Sequence, residues 1–144
     1  MKPIVIATDL SQHSEPAIVQ GVTLARDLGA EAVLVHAWEP AAFMALDLAV
    51  VTSPARVAEQ VGRLQRRLDE LAVAHRAEGV RLSLRLLEGP APATIVQAAR
   101  DLDARFIVLG AVTPRTLARL LGSTGDAVVR EAHCPVILVR GPAH

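Results

Sequence analysis

Apolar residues follow two alternating rhythms along this chain. Continuous runs rich in Val and Ile stand at 3–8 (PIVIAT), 31–38 (EAVLVHAW), 105–112 (RFIVLGAV) and 135–140 (PVILVR). Short runs of this kind, bounded by turn residues, predict buried strands. Segment 80–88, VRLSLRLLE, alternates instead and predicts a strand with one wetter face, at a sheet edge. Between these runs the period becomes helical. Ile18, Val19, Val22, Ala25 and Leu28 mark a first helix. Val57, Val61, Leu64, Leu68 and Leu71 share one face of a second over 54–78, with Arg63, Arg66, Arg67, Asp69 and Glu70 turned to solvent. Shorter helices are predicted over 91–104 and 122–132. The punctuation agrees: Ser11 and Ser14 are candidate caps, Pro16 falls in a first turn, Gly29 closes the first helix, and Ser53-Pro54 opens the second. The order β-α-β-α-β-α-β-α-β predicts an α/β fold, a five-stranded parallel sheet with right-handed crossovers, doubly wound. Residues 1–144 read as one domain, with 141–144 a loose tail. Segment 39–53, EPAAFMALDLAVVTS, is apolar without a clean period. The expectation there is a short helix over the core or crevice; a lid or a protein-partner surface is the alternative.

Composition sharpens this picture. Apolar residues make up 51% of the chain and aromatic ones only 2%, so Val, Leu, Ile and Ala fill the core, as in sheets covered by helices. Fifteen basic and fifteen acidic residues cancel, so no global field favours nucleic acid or an anionic membrane. An acid at position 9 interrupts the first apolar run too early for a secretory signal, and no apolar stretch is long enough to span a bilayer. A cytoplasmic protein is the expectation. Cys134 is the single cysteine and has no partner for an intrachain disulfide.

Candidate chemistry gathers at two predicted strand ends. In a doubly wound sheet the ligand lies beyond the carboxyl ends of the strands, where the strand order reverses. With strands 1 and 4 as neighbours the order is 3-2-1-4-5, and the loops ATDLSQHS and LGAVTP face one crevice. Asp9 at its mouth could accept hydrogen bonds from ribose hydroxyls or hold Mg²⁺ through water; alternatively it caps the first helix. Gly122-Ser123-Thr124 precedes the last helix, whose N-terminal amides and dipole favour an anion; the alternative is an ordinary cap.

These pieces together resemble the universal stress protein (UspA-like) family. IVIATDLSQHSEPAI, EAVLVHAWEP, EGPAPATIVQAA, FIVLGA and LARLLGSTGDAVVREAHCPVILVR carry the likeness over nearly the whole chain. The resemblance implies a Rossmann-like fold of the adenine nucleotide alpha hydrolase-like kind, a stress-response regulator or sensor, and a homodimer. Nucleotide-binding members carry a G-x2-G-x9-G-[S/T] loop. Carried over, Gly110 is the first glycine, Gly122 the last, Ser123 the hydroxyl, with Thr124 after it. Asp9 matches the family's ribose and metal-phosphate acid, and backbone from Val35 to Ala37 the adenine edge. The implied cofactor is ATP, with Mg²⁺ only alongside it. Thr113 stands where the family has its middle glycine, Pro114 follows, and eight residues rather than nine separate Thr113 from Gly122. A β-branched residue disfavours positive φ and proline removes an amide donor, so both weaken a phosphate cradle built from backbone. Arg115 and Arg119 could compensate by side-chain charge. The expectation is a weak adenine-nucleotide site. The alternative is a nucleotide-independent dimeric interaction protein with a vestigial crevice.

Other chemistries find little support. The five histidines lack metal-ligand spacing, and His36 on its strand reads as a satisfied core residue. No nucleophile elbow and no Walker A loop occur. No catalytic residue is assigned, and turnover is expected to be at most slow ATP hydrolysis. The last strand, 135–140, is an apolar edge that invites a second copy.

Overall fold

A computed structural model describes residues 2–40, 53–111 and 123–141, with Ser123 described by its backbone. Five strands, β1 (Ile4–Ala7), β2 (Ala32–Trp38), β3 (Leu82–Glu88), β4 (Phe106–Gly110) and β5 (Val136–Val139), form one parallel sheet ordered β3-β2-β1-β4-β5. Helices α1 (Glu15–Leu28), α2 (Pro54–Ala74), α3 (Ala91–Asp101) and α4 (Ser123–Glu131) connect them, with a 3₁₀ turn at Gln12–Ser14 before α1. The predicted fold class and strand order are the observed ones.

Side-chain alternation divides the core into two layers. Ile4, Ile6, Ala32, Leu34 and Val108 point to the face covered by Ile18 and Val22 of α1 and Leu68 and Leu71 of α2. Val5, Val33, Val35, Ile107 and Leu109 point to the other, under Ile95, Ala98 and Ala99 of α3 and Val128 of α4. Among the described residues neither layer has an aromatic ring in its fully buried side chains. Small residues let the layers close. A Cβ built on Gly21 of α1 would stand 2.5 Å from Ile6 Cγ1 and 2.6 Å from Cδ1.

The ends of elements differ from expectation where the backbone leaves the helical basin. The second helix stops at Ala74, capped by His75, whose N–H reaches Leu71 O at 3.0 Å. The chain then turns through Gly79 at φ +80°. The third stops at Asp101, because Asp103 takes φ +50° and Ala104 N–H returns to Ala99 O at 2.8 Å. Leu102 continues the apolar period past the stop of the third helix, so periodicity could not signal that end. Ser14 occupies the N-cap position of α1 but makes no capping bond with its side chain.

The two edges of the sheet differ. On β3, Ser83, Arg85 and Glu88 are exposed, a charged edge that discourages pairing. β5 is VILV, half-buried throughout. A groove of about 380 Å³ runs beside it, with Gln20 and Leu24 as wall and Val108, Ile137 and Val139 as floor. On the other face Val129 of α4 is 45% exposed.

Candidate functional site

β1 and β4 lie side by side, and their crossovers leave to opposite faces of the sheet, β1 into α1 and β4 into α4. A crevice at the carboxyl ends of the strands follows from that reversal. The register Ile4↔Phe106 and Ile6↔Val108 continues to bring Thr8 level with Gly110. The predicted neighbours are thus brought together.

The loop leaving β1 is a closed system of hydrogen bonds. Thr8 N–H donates to Val35 O at 2.9 Å, extending the β1–β2 ladder. Leu10 N–H donates to Thr8 Oγ1 at 3.0 Å, which holds Leu10 at φ +68°. Ser11 N–H and Ser11 Oγ both donate to Asp9 Oδ1, at 2.9 and 2.5 Å. His13 N–H donates to Ser11 Oγ at 3.2 Å, and Ser14 N–H to Ser11 O at 3.1 Å. Ser14 Oγ donates to Ser11 O at 2.8 Å. A hydroxyl has one proton, so the 2.6 Å contact between Thr8 and Ser14 must be Thr8 Oγ1–H donating to Ser14 Oγ. All three hydroxyls and four amides, those of Leu10, Ser11, His13 and Ser14, are therefore engaged inside the loop. Its outward character is that of an acceptor, because Asp9 is exposed and Oδ2 takes no bond among the described residues.

β2 braces this loop from the side. His36 Nδ1 lies 2.8 Å from Thr8 O. A carbonyl only accepts, so Nδ1 carries the proton. Nδ1 of His36 is thus satisfied, as the sequence implied, but the ring is half-buried and not part of the core. Ala37, the candidate adenine edge, is the next residue, half-buried and in register with Leu87 of β3.

Gly110 ends β4 and is exposed. Two other segments meet it. A Cβ on Gly110 would lie 3.9 Å from His13 O in the 3₁₀ turn, and one on Gly125 would lie 3.8 Å from Gly110 O. The start of α4 therefore opens beside the β1 loop. Ser123 and Thr124 are its first two residues, and Asp126 in its first turn is paired with Arg130 at 3.1 Å. Thr113 and Gly122 lie outside the described residues, as do Arg115, Arg119 and most of segment 39–53.

Among the described residues no group of His, Cys, Asp and Glu is placed to hold a metal ion. Burial raises the Cys134 thiol pKa, partly offset by a backbone hydrogen bond, which argues against a reactive thiolate. The bracing set Thr8, Ser14 and His36 was not foreseen as a unit. Its one sequence signal is a hydroxyl that ends a buried strand six residues before a buried serine.

The family model described as the universal stress protein family matches residues 1–140. The chain belongs to the universal stress protein family. A universal stress protein of Thermus aquaticus is 35% identical, covering 96% of this chain and 98% of its own. One from Methanocaldococcus jannaschii is 31% identical, covering 98% and 83%. Among solved structures, the universal stress protein from Archaeoglobus fulgidus in complex with dAMP has a TM-score of 0.66 and 26% identity, over 96% of this chain and 98% of that one. A universal stress protein in complex with cAMP, 23% identical over 98% of each chain, has a TM-score of 0.69 and shares the fold. No helix among the described residues is long and apolar enough to cross a membrane.

Proposed function

We propose that this family member is a stress-response regulator whose crevice binds an adenine nucleotide weakly, as a sensor and without rapid turnover. The observation that carries the reading is the meeting of the loop that follows β1, which holds Asp9, with Gly110 and the start of α4 at the β1–β4 reversal. The acceptor-rich β1 loop suits the hydroxyl-bearing sugar. The amides at the start of α4, which have no partner within the helix, suit phosphate. Ala37 backbone would face the base, Ser123 and Thr124 would add hydroxyl donors, and Gly122 and Thr113 would border the phosphates. ATP, with Mg²⁺ bound through it, is the ligand proposed first; the dAMP complex of the Archaeoglobus relative supports an adenine nucleotide more broadly. A cytoplasmic setting, where structural disulfides are rare, suits a chain whose single cysteine forms none.

The test is thermal unfolding of nucleotide-free protein with and without millimolar Mg²⁺-ATP or AMP. A ligand at about 100 times its Kd adds about 2.7 kcal/mol, which raises Tm by about 2–5 °C for a domain of this size. The shift should vanish in Asp9→Ala. No shift with either ligand at several millimolar would refute nucleotide binding and favour the vestigial-crevice reading.

The same reading includes a two-fold dimer through β5. Ile107 N–H bonds Pro135 O and Ala111 N–H bonds Val139 O, so residues 135, 137 and 139 face β4. The backbone groups of Val136, Leu138 and Arg140 therefore face outward. Antiparallel pairing about Leu138 would join all of them, with Ile137 opposite Val139 of the second copy. That pairing would also cover the groove beside β5. A protein partner at segment 39–53 remains a second proposed contact, on its composition alone.

A further inference from the structure

The β1–β2 ladder stops one bond short of where its register would carry it. In a parallel pair the bonds run evenly along the strands, each residue donating and accepting on one side. Here Ile4 N–H donates to Glu31 O at 2.8 Å and Thr8 N–H to Val35 O at 2.9 Å, on the register Ile4↔Ala32 through Ala7↔Val35. The next bond of that series is Ala37 N–H to Thr8 O. Among the described residues it is absent, and Thr8 O receives His36 Nδ1–H at 2.8 Å. A carbonyl can accept two bonds, so occupancy does not exclude Ala37. Direction does, because Thr8 O meets the ring and stands outside bonding geometry with Ala37 N–H.

Fraying of β2 is not the cause. On its other side the ladder runs on, with Gly89 N–H donating to Trp38 O at 2.8 Å and pairing kept through Trp38↔Glu88. Nor does β1 offer another partner, since its chain turns away at Leu10, φ +68°. The N–H and C=O of half-buried Ala37 therefore face the β1 side, toward the crevice, with no backbone partner among the described residues. Such groups call for a ligand or water.

We propose that His36 is a positioning residue that holds this step of the ladder open. Its ring keeps the Thr8 carbonyl turned from Ala37 N–H, and so reserves a neighbouring donor and acceptor for the edge of a ligand ring. Adenine matches them, with an amino donor beside a ring-nitrogen acceptor. That match rests on the nucleotide reading above; the open step does not.

The experiment is amide hydrogen exchange by ¹H–¹⁵N spectroscopy on the unaltered protein, His36→Ala and His36→Asn, each with and without millimolar AMP. Without ligand, Ala37 N–H in the unaltered protein should exchange at least about tenfold faster than Thr8 N–H, the last bonded amide. His36→Ala releases the Thr8 carbonyl, so Ala37 exchange should slow about tenfold and AMP should bind about tenfold more weakly. Closing the step does not restore the contacts of the ring, so this variant stays less stable. His36→Asn places an amide N–H where Nδ1 stood and should keep Ala37 open and AMP affinity within about threefold. AMP should slow Ala37 in the unaltered protein. Ala37 exchanging as slowly as Thr8 in the unaltered protein overturns the open step. Ala37 staying fast in His36→Ala overturns the role of His36 and leaves nucleotide binding intact. AMP binding to none of the three proteins overturns the nucleotide reading, while the exchange contrast between them still decides the role of His36.

Discussion

His36 shows how a single side chain can carry structural information that its neighbours in sequence do not. Its Nδ1–H reaches Thr8 O, so the exit of β1 is tied to β2 one step beyond the last ladder bond. Long-range ¹H–¹⁵N correlation spectra should show Nδ1 protonated at pH values where the ring is neutral. His36→Ala should cost about 1 kcal/mol in denaturant unfolding. His36→Asn, which can offer an amide N–H from a similar position, should recover part of it. Gly21 makes a different demand. With a Cβ 2.5 Å from Ile6 Cγ1, Gly21→Ala overpacks the α1–β1 contact and should cost about 1–3 kcal/mol. Ile6→Val in the same chain should relieve part of that cost. Cys134 has its thiol pKa raised by burial. The folded state therefore favours the neutral thiol, and its thiolate fraction at pH 7.5 is below that of the unfolded chain. Iodoacetamide should label native protein more slowly than denatured protein at that pH. The stabilising preference for the neutral thiol falls away as pH rises past the ordinary thiol range, where the unfolded chain releases its proton first.

Among the elements, α2 and β5 illustrate opposite kinds of legibility. The start of α2 was written locally: Ser53 Oγ accepts Arg56 N–H at 3.2 Å, with Pro54 in the first turn. Ser53→Ala should cost about 1 kcal/mol, read from the shift in the denaturation midpoint. The stop of α2 was not legible, because it depends on the turn through Gly79 and the return of the chain to β3. Ser14 was misread for a related reason. Its position in sequence is that of a cap, yet its hydroxyl is claimed by Thr8 and Ser11. The apolar sequence of β5 announced a strand, and the order expected from the sequence already put it at an edge, where the structure has it. The register proposed for its pairing predicts a charge pattern. Ile137→Lys with Val139→Lys should give a monomer in multi-angle light scattering. Ile137→Glu with Val139→Lys should restore the dimer, because opposite charges then face each other across the two-fold axis. Restoration failing in a folded protein would exclude pairing about Leu138.

For the molecule as a whole, the alternation of short β-branched runs with helical repeats was enough to establish five strands, four helices and a parallel sheet. Those features rest on periodicity, and a period is a property of neighbouring residues. Order in the sheet needed one further inference, that strands 1 and 4 are adjacent; the structure places them so. Asp9 and Gly110 were identifiable as strand-end residues because loops at the carboxyl ends of parallel strands collect function. What each can do was not identifiable. Asp9 has one oxygen without a bond among the described residues because Ser11 folds back onto the other, and Gly110 meets the 3₁₀ turn and α4 because two crossovers leave the sheet on opposite sides. The composition and rhythm of the chain thus specify which elements form and which faces they bury, since both follow from local spacing and solvent transfer. The bond that ties Thr8 to β2 and the tautomer of His36 depend on partners distant along the chain. Those features exist only once the sheet has brought the partners within hydrogen-bonding distance.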